Sequence, residues 1–421
     1  NYTFATFGLF FRLLLVLFLA SACSGKNQRY TVSDEPWTES LGNHRAVLHV
    51  KGDGEAVHID IPWRRHDADP ADRKLLLISA ESNDTVQHIQ RIQVDNERCE
   101  VFAGPVKAGT YYLYYLPFEV QEGWGFYSKD YLPVEAPADQ AWVERIRHEA
   151  VPEATLLSLE ARTGMDSFYP MEVIPLASEK EAFIARHPDP FILFTEDRQY
   201  PIRMLDEVPL KWIQDPKLNH FEGAAQRNEY YVFQVGVYAA RTDVKDLQVA
   251  FTPLDGPGGS SIGIDKLTCF NTAGVDTYGF PFKKHIQVRE GFVQALWMGV
   301  DIPEEIRPGT YEGKIMIGPA EGKKKEVTTR IKVKKELVPD RGDGEPWRHS
   351  RLRWLNSTAG INDLPVAPYS ALTRTENGAL MVSGKKITAG IAVLPESILV
   401  GETELLNRKM VFTVQGDHQE E

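Results

Sequence analysis

The sequence predicts a mainly β protein with tandem β-sandwich domains, a few short helices and a third β-rich domain that is truncated. Three observations favour this class. The 421 residues include 26 Pro, 32 Gly, 20 Phe, 16 Tyr and 8 Trp, a usage that suits short strands joined by turns. Apolar and polar residues alternate in many short segments, as they do in half-buried strands. The length suits two or three domains of roughly 150 residues.

Composition and charge exclude several classes of protein. Hydrophobic residues make up 43% and charged residues 25% of the chain, which excludes a mainly disordered or multi-span membrane protein. The net charge of −12 argues against a surface that follows nucleic-acid phosphates. With only three Cys, no disulfide framework can carry the fold.

The first 23 residues have the pattern of a bacterial lipoprotein signal peptide. Arg12 precedes an apolar run over residues 13–20, and small residues then lead to Cys23. We therefore expect Cys23 to be acylated and to hold the protein on a membrane. Residues 24–28 lack an acidic pair, which favours a periplasm-facing anchor in a Gram-negative envelope, with the cell surface as the alternative. A transmembrane anchor is the other interpretation of the apolar run.

Two predicted sandwiches follow a tether. Residues 24–42 are polar and aperiodic and predict the tether. The first sandwich is predicted over 43–165, where Val57, Ile59 and Ile61 share one face of a strand. The second is predicted over 166–338 from a continuous apolar run over 230–240 and a long strand over 292–302. Residues 339–421 predict the start of a third β-rich domain, incomplete after about 75 residues.

Two short helices interrupt the strands. Residues 138–150 place Trp142 and Ile146 four apart, on one helical face. Ser178 and Glu181 form a capping box for a second helix, which His187-Pro188 ends.

One short motif occurs twice. Gly109-Thr110-Tyr111 in the first block returns as Gly309-Thr310-Tyr311 in the second, each before a strand near the end of its block. The Gly is expected to supply backbone freedom at a turn, and the Tyr to pack on the opposed sheet.

No catalytic or metal-binding motif is present. A nucleophile elbow, P-loop, dinucleotide fingerprint and zinc signature are all missing from the sequence, so we expect no cofactor and no metal. Glycoside cleavage needs two positioned carboxylates, and three pairs are conceivable among the 59 acidic residues. They are Glu196 with Asp197, Glu222 with Glu229, and Asp301 with Glu304. Adjacent or turn-borne acids are usually solvated, so no catalytic residue is assigned.

Aromatic residues and thiols complete the candidates. Trp124 and Tyr127 lie between predicted strands, where they are candidates for stacking on sugar rings; packing of the loop is the alternative. Trp297 lies in an apolar strand and is predicted to be core. Cys99 and Cys269 fall in different predicted domains and are expected to be buried free thiols.

Several stretches over residues 165–400 carry a family resemblance. They include Phe191-Ile192-Leu193-Phe194-Thr195-Glu196-Asp197, Phe221-Glu222-Gly223, Cys269-Phe270-Asn271-Thr272, Val293-Gln294-Ala295-Leu296-Trp297 and Ser350-Arg351-Leu352-Arg353-Trp354. This part of the chain resembles the N-terminal, non-catalytic region of bacterial proteins similar to glycoside hydrolase family 123. The first block resembles the family less clearly.

The resemblance implies β-sandwich modules ahead of a (β/α)₈ catalytic barrel. Such an enzyme removes N-acetylgalactosamine by attack of the substrate's own acetamido group, with an Asp–Glu pair in the barrel. A barrel needs roughly 250 residues, and about 80 follow residue 340. No catalytic residue of the family can therefore be assigned to a position of this chain.

We therefore expect the non-catalytic N-terminal part of a lipid-anchored glycoside hydrolase that acts on N-acetylhexosamine-containing glycans. The sandwiches would brace and line the missing barrel, and this chain alone would be inactive. The alternative is a complete periplasmic carbohydrate-binding or scaffold lipoprotein without enzymatic activity. The expected partners are a glycan and, through the lipid anchor, a membrane; no nucleic acid is expected, and the oligomeric state is not predicted.

Overall fold

A computed structural model describes residues 30–123, 126–344, 352–362, 364–390 and 393–413. These residues form mainly strands, which confirms the predicted fold class. The α-helices in the described part of the chain are α1 (Gln140–Ile146), α2 (Ala177–Arg186) and α3 (Leu210–Gln214). None of these helices has the length and apolar character that a membrane span requires.

The first sandwich has two facing sheets. Its strands are β1 (Tyr30–Val32), β2 (His44–Val50), β3 (Val57–Ile61), β4 (Leu76–Ser79), β5 (His88–Val94), β6 (Cys99–Gly104), β7 (Gly109–Tyr114), β8 (Phe118–Gly123), β9 (Phe126–Tyr131) and β10 (Thr155–Ala161). One sheet has the order β1-β10-β2-β7-β4 and the other β3-β6-β5, while β8 and β9 form a separate hairpin. Leu48, Ile59 and Val101 belong to the buried cluster that the two sheets share.

Part of the predicted tether is ordered. Within residues 24–42, Tyr30–Val32 forms β1, which pairs in parallel with β10 so that Tyr30 lies opposite Leu159. The tether prediction therefore does not hold for these three residues, because their backbone groups are paired to the sheet edge.

The second sandwich is longer and has its own core. Its strands are β11 (Ile192–Asp197), β12 (His220–Arg227), β13 (Tyr230–Tyr238), β14 (Leu247–Phe251), β15 (Leu254–Asp255), β16 (Ser261–Ile262), β17 (Leu267–Cys269), β18 (Ala273–Val275), β19 (Pro281–Lys283), β20 (Val293–Asp301), β21 (Gly309–Pro319) and β22 (Lys325–Leu337). The sheet β11-β13-β20-β17 faces the sheet β12-β22-β21-β15-β16, in which β14 also pairs with β21; β18 and β19 form a two-stranded sheet. Phe233, Leu296 and Ile331 lie between the two large sheets.

Helices α2 and α3 cover part of the outer face of β11-β13-β20-β17. Phe183 of α2 and Trp212 of α3 are buried against this face. The Trp212 ring stacks on Phe194 with centroids 4.2 Å apart. The predicted capping box is wrong in its residues: Glu179, not Glu181, closes the turn, and its carboxylate accepts the Leu176 N–H at 2.9 Å.

Contacts divide the chain into two compact units. The first holds both sandwiches, in residues up to 274 and 282–354; the second comprises 275–281 and 355–421. The second unit contains an antiparallel meander of β23 (Thr373–Arg374), β24 (Leu380–Val382), β25 (Lys385–Ala389), β26 (Pro395–Val400) and β27 (Thr403–Glu404). Among the described apolar residues of this unit, Ala379 alone is buried.

Candidate functional site

A cleft opens where the helical layer of the second sandwich ends. On the outer face of β13, Gly236 lies directly beneath Trp212, and a Cβ at this position would come within 2.5 Å of the indole. Gln234, the next outward residue along the strand, is also buried, and its Oε1 accepts the Ile202 N–H at 2.7 Å. Beyond Gln234 the covering layer stops, and the sheet forms the floor of a cleft of about 440 Å³.

The floor of the cleft is aromatic. Trp297 of β20 and Tyr230 and Val232 of β13 contribute to it. Gly299 makes room for Tyr230, because a Cβ at residue 299 would lie 2.5 Å from the Tyr230 hydroxyl. Burial raises the pKa of Tyr230, so the phenol stays protonated near neutral pH.

The prediction that Trp297 belongs to the core is wrong. Leu296 and Met298 point into the sandwich and are fully buried, whereas Trp297 faces the other way and is half-buried. Alternation places residue 297 on the outer face, and the helical layer does not extend over it. Its indole therefore lines the cleft.

Three ion pairs surround this aromatic floor. Arg198 Nη1 lies 2.6 Å from Glu229 Oε1. Arg341 pairs with Asp301, and Lys266 Nζ is 3.9 Å from the same carboxylate.

The third pair joins Arg353 to Asp343. The Nε atoms of Arg341 and Arg353 are buried and have no hydrogen-bond partner among the described residues. Such donors are costly when they remain unpaired.

Of the acidic residues considered as catalytic pairs, the structure brings two to one cleft. Glu229 and Asp301 lie at the same end of paired strands, because Tyr230 is the register partner of Asp301. Both carboxylates are held by guanidinium groups. Glu304 is exposed, outside this arrangement.

The other nominated acids are also engaged. Glu196 is buried, accepting from Trp212 Nε1 at 2.7 Å and pairing with Lys211. Asp197 accepts from the Tyr231 hydroxyl. Glu222 is exposed and pairs with His220 at 3.0 Å, a contact that lowers the pKa of Glu222. No pair has the free acid and base that glycoside cleavage requires.

Of the predicted binding and anchoring residues, Tyr127 is the one that the structure describes. Tyr127 is 80% exposed on β9, so it remains a candidate for stacking. Trp124 and Cys23 lie outside the described residues. Cys99 and Cys269 are buried free thiols, as predicted.

A second cleft, of about 340 Å³, was not indicated by any sequence motif. Its buried Arg65 lies between the Trp63 and Tyr115 rings, 4.3 and 4.4 Å from their centroids, and pairs with Asp67. Nearby, burial lowers the pKa of His44, whose Nε2 lies 2.7 Å from a backbone carbonyl oxygen. A neutralised guanidinium and a neutral imidazole suit packing better than proton transfer. Within the described ranges, no group of three His, Cys, Asp or Glu side chains could hold a metal ion.

Among the described residues, fold and site together define tandem β-sandwiches with an aromatic-floored cleft on the second. Residues 35–162 match the family model of the glycoside hydrolase 123 N-terminal domain. Over these residues the chain is therefore similar to the N-terminal domain of glycoside hydrolase 123. The match covers the first sandwich, whereas the resemblance quoted from the sequence lies over 165–400.

Solved structures give weaker likenesses. A family 123 glycoside hydrolase from Clostridium perfringens, described for glycolipid glycan hydrolysis, has 13% identity and a TM-score of 0.29, over 36% of this chain and 28% of the enzyme. A PapD-like domain of human CEP192 has 10% identity and a TM-score of 0.20, over 28% of this chain and 82% of that domain. The chain thus spans little more than a quarter of the enzyme it matches. No curated protein matches the sequence.

Proposed function

We propose that this chain is the non-catalytic N-terminal part of a lipid-anchored glycoside hydrolase that acts on N-acetylhexosamine-containing glycans. The match of residues 35–162 to the glycoside hydrolase 123 N-terminal domain carries the proposal. The engaged carboxylates support a non-catalytic role, because Glu229 and Asp301 are each held by an arginine. In this role the sandwiches support and line a catalytic barrel.

The activity of the chain tests this proposal. Residues 26–421 should not turn over an aryl N-acetylgalactosaminide, because uncatalysed glycoside cleavage is extremely slow. The product of the whole genomic reading frame should turn it over. Turnover by residues 26–421 that survives repurification and disappears in Glu229→Gln or Asp301→Asn would contradict the non-catalytic role.

Acylation of Cys23 is the second part of the proposal. An apolar run and small residues precede this cysteine, and a polar segment follows it. The protein should fractionate with membranes and carry acyl chains on residue 23, and Cys23→Ala should remove the chains. A Cys23→Ala protein that stays in the membrane with its apolar run uncut would show a transmembrane anchor instead.

A complete carbohydrate-binding or scaffold lipoprotein is the alternative function. The cleft floored by Trp297 and Tyr230 favours it as much as it favours the first proposal. The genomic DNA after the codon for Glu421 distinguishes the two. An open frame running into a barrel sequence supports the glycosidase, and an immediate stop codon supports the binding protein.

A further inference from the structure

We propose that the cleft on the second sandwich is a binding subsite for an uncharged pyranose ring, with the indole of Trp297 as its stacking platform. The inference relies on the proposed function only for the class of ligand, a glycan. The location and chemistry of the subsite follow from the cleft itself.

Trp297 is partly exposed at the floor of the cleft although its neighbours along the strand are buried. The inward neighbours Leu296 and Met298 are fully buried, while Trp297 lies half-buried on the floor of a cleft of about 440 Å³. Ligand sites are typically concave, with aromatic surface and a few placed polar groups. A flat indole at the base of such a cleft offers a face of the size that a sugar ring presents on its C–H side.

Aromatic rings lie beside the indole. Gly299 follows Trp297 on the outer face of β20 and has no side chain of its own, and the Tyr230 and Phe270 rings lie over it. Tyr230 folds over Gly299 and makes a second aromatic surface, with its ring centroid 6.1 Å from that of Phe270. Trp297 and Tyr230 together give the floor of the cleft its aromatic character.

The charged groups at the cleft balance one another. Arg198, Arg341 and Arg353 line the cleft, and each is paired with a carboxylate. Lys266 lies 3.9 Å from Asp301 and also 3.9 Å from Asp265, so four positive and four negative groups cancel locally and the cleft has no net attraction for an anion. Paired guanidinium and carboxylate groups do supply donors and acceptors to ligand hydroxyls. The ligand that fits is therefore neutral and rich in hydroxyls.

Two arginines that line the cleft carry hydrogen-bond donors without a partner among the described residues. Arg341 Nε and Arg353 Nε are buried without a partner among the described residues. Buried unpaired donors are rare in folded proteins and commonly mark a bound water or ligand. A hydroxyl-bearing ligand, or water ordered by it, would satisfy these donors after a small side-chain adjustment.

Binding of simple methyl glycosides to the full chain tests the proposal. The probes are the methyl β-glycosides of N-acetylgalactosamine and galactose, with glucuronic acid as the anionic comparison, measured by ligand-observed saturation-transfer NMR and calorimetry. We expect a neutral glycoside to bind and glucuronic acid to bind more weakly. Trp297→Ala should weaken binding about ten-fold or more, and Trp297→Tyr should retain part of it.

Tyr200→Ala is the matched control, because it removes an exposed aromatic residue that does not line the cleft. Its affinity should equal that of the unmodified chain. Unchanged binding by a folded Trp297→Ala, loss of binding in Tyr200→Ala, stronger binding of glucuronic acid, or no binding of either neutral probe would overturn the proposal. Thermal unfolding of each variant shows whether it is folded, and Trp297→Tyr provides the test if the alanine variant is not.

The binding and hydrolysis experiments distinguish a failure of the subsite from a failure of the proposed function. Hydrolysis by the product of the whole reading frame depends on a catalytic domain, whereas this binding depends on residue 297. Binding that needs Trp297 without any hydrolysis would keep the subsite and reject the glycosidase. Hydrolysis without binding that needs Trp297 would keep the glycosidase and reject the subsite.

Discussion

Tyr111 of the first sandwich and Tyr311 of the second make the same hydrogen bond. Each phenol hydroxyl donates to the backbone carbonyl four residues earlier, at 3.1 Å for Tyr111 and 2.7 Å for Tyr311. Both rings are buried. A tyrosine that bonds back to its own chain in this way fastens a corner of a β-sandwich. The short motif that the sequence repeats is therefore a repeated structural device.

Removal of either hydroxyl should destabilise the protein. Tyr111→Phe leaves a backbone N–H and carbonyl without their partner, and Tyr311→Phe leaves a carbonyl and the Ser260 hydroxyl. Each change should lower the free energy of unfolding by about 1–2 kcal/mol, measured by chemical denaturation. Tyr127→Phe is the control, since Tyr127 is exposed. Equal stability of all three variants would show that the corner bonds contribute nothing.

The glycines before these tyrosines should differ in their tolerance of a side chain. Gly109 and Gly309 have φ angles of +149° and +153°, a region that costs other residues about 1–3 kcal/mol. A Cβ at residue 309 would lie 2.5 Å from Pro257 Cγ, whereas at residue 109 the nearest atom is Glu81 Oε1 at 3.4 Å. Gly309→Ala should therefore lower the Tm more than Gly109→Ala. The reverse order would contradict this packing argument.

Protonation of Glu179 at acidic pH should lower the free energy of unfolding. Its carboxylate bonds Arg64 Nη1 and Nη2 at 2.6 and 3.0 Å and also accepts the Leu176 N–H. The bond from Arg64 lowers the pKa of Glu179 from 4.5, so the stabilisation is present above pH 4.5 and is lost as the pH falls through the lowered value.

Glu179→Gln should cost about 1 kcal/mol at neutral pH, a modest value because this carboxylate is about one-third exposed. The difference in unfolding free energy between Glu179→Gln and the unmodified chain should narrow below pH 4.5. Urea denaturation at a series of pH values measures it. A constant difference from neutral to acidic pH would rule out an ionic contribution from Glu179.

The alternation of apolar and polar residues predicts which side chains face inward, because successive side chains of a strand point to opposite faces of the sheet. Tyr311, Ile315 and Ile317 are all buried along β21, as their spacing predicts. The same rule cannot say whether an outward face is covered. Gln234 on β13 is buried and accepts the Ile202 N–H, whereas its register partner Trp297 on β20 lies in a cleft. That difference depends on a segment between β11 and α3 that is distant in sequence from β20.

The candidate site was harder to predict than the fold, since it depends on the pairing of distant segments. The sequence places Glu229 and Asp301 in different candidate catalytic pairs. The register of β13 against β20 nevertheless brings both to one end of the sheet. Arg198 and Arg341, which neutralise them, come from two further segments.

The two buried thiols should resist modification in the native protein. Burial raises the pKa of Cys99 to about 12 and also raises that of Cys269, so little reactive thiolate forms near pH 8. Iodoacetamide at pH 8 should label neither residue until the protein is unfolded in urea, as read from peptide masses. Rapid labelling of Cys269 alone would indicate local opening near β17 rather than global unfolding.

The second compact unit buries little apolar surface. Val393 is 82% and Phe412 81% exposed, and Ile398 and Leu399 on β26 are only partly buried. By contrast, Val235 in the centre of β13 is fully buried. Strands without a covered apolar face gain little from burial to offset the entropy of ordering the chain.

Hydrogen exchange should therefore be fast over residues 375–413 and slow over 230–240 and 292–302. Amides exchange when their segment opens, and the cost of opening rises with the apolar contacts that opening breaks. The meander keeps its strand pairing, as in Lys385 opposite Val400, but has almost no core beneath it. Exchange mass spectrometry at neutral pH measures both sets of peptides in one experiment. Equal protection of 375–413 and the core strands would mean that another surface covers the meander, and the low burial of Ile398 and Leu399 would not describe the protein in solution.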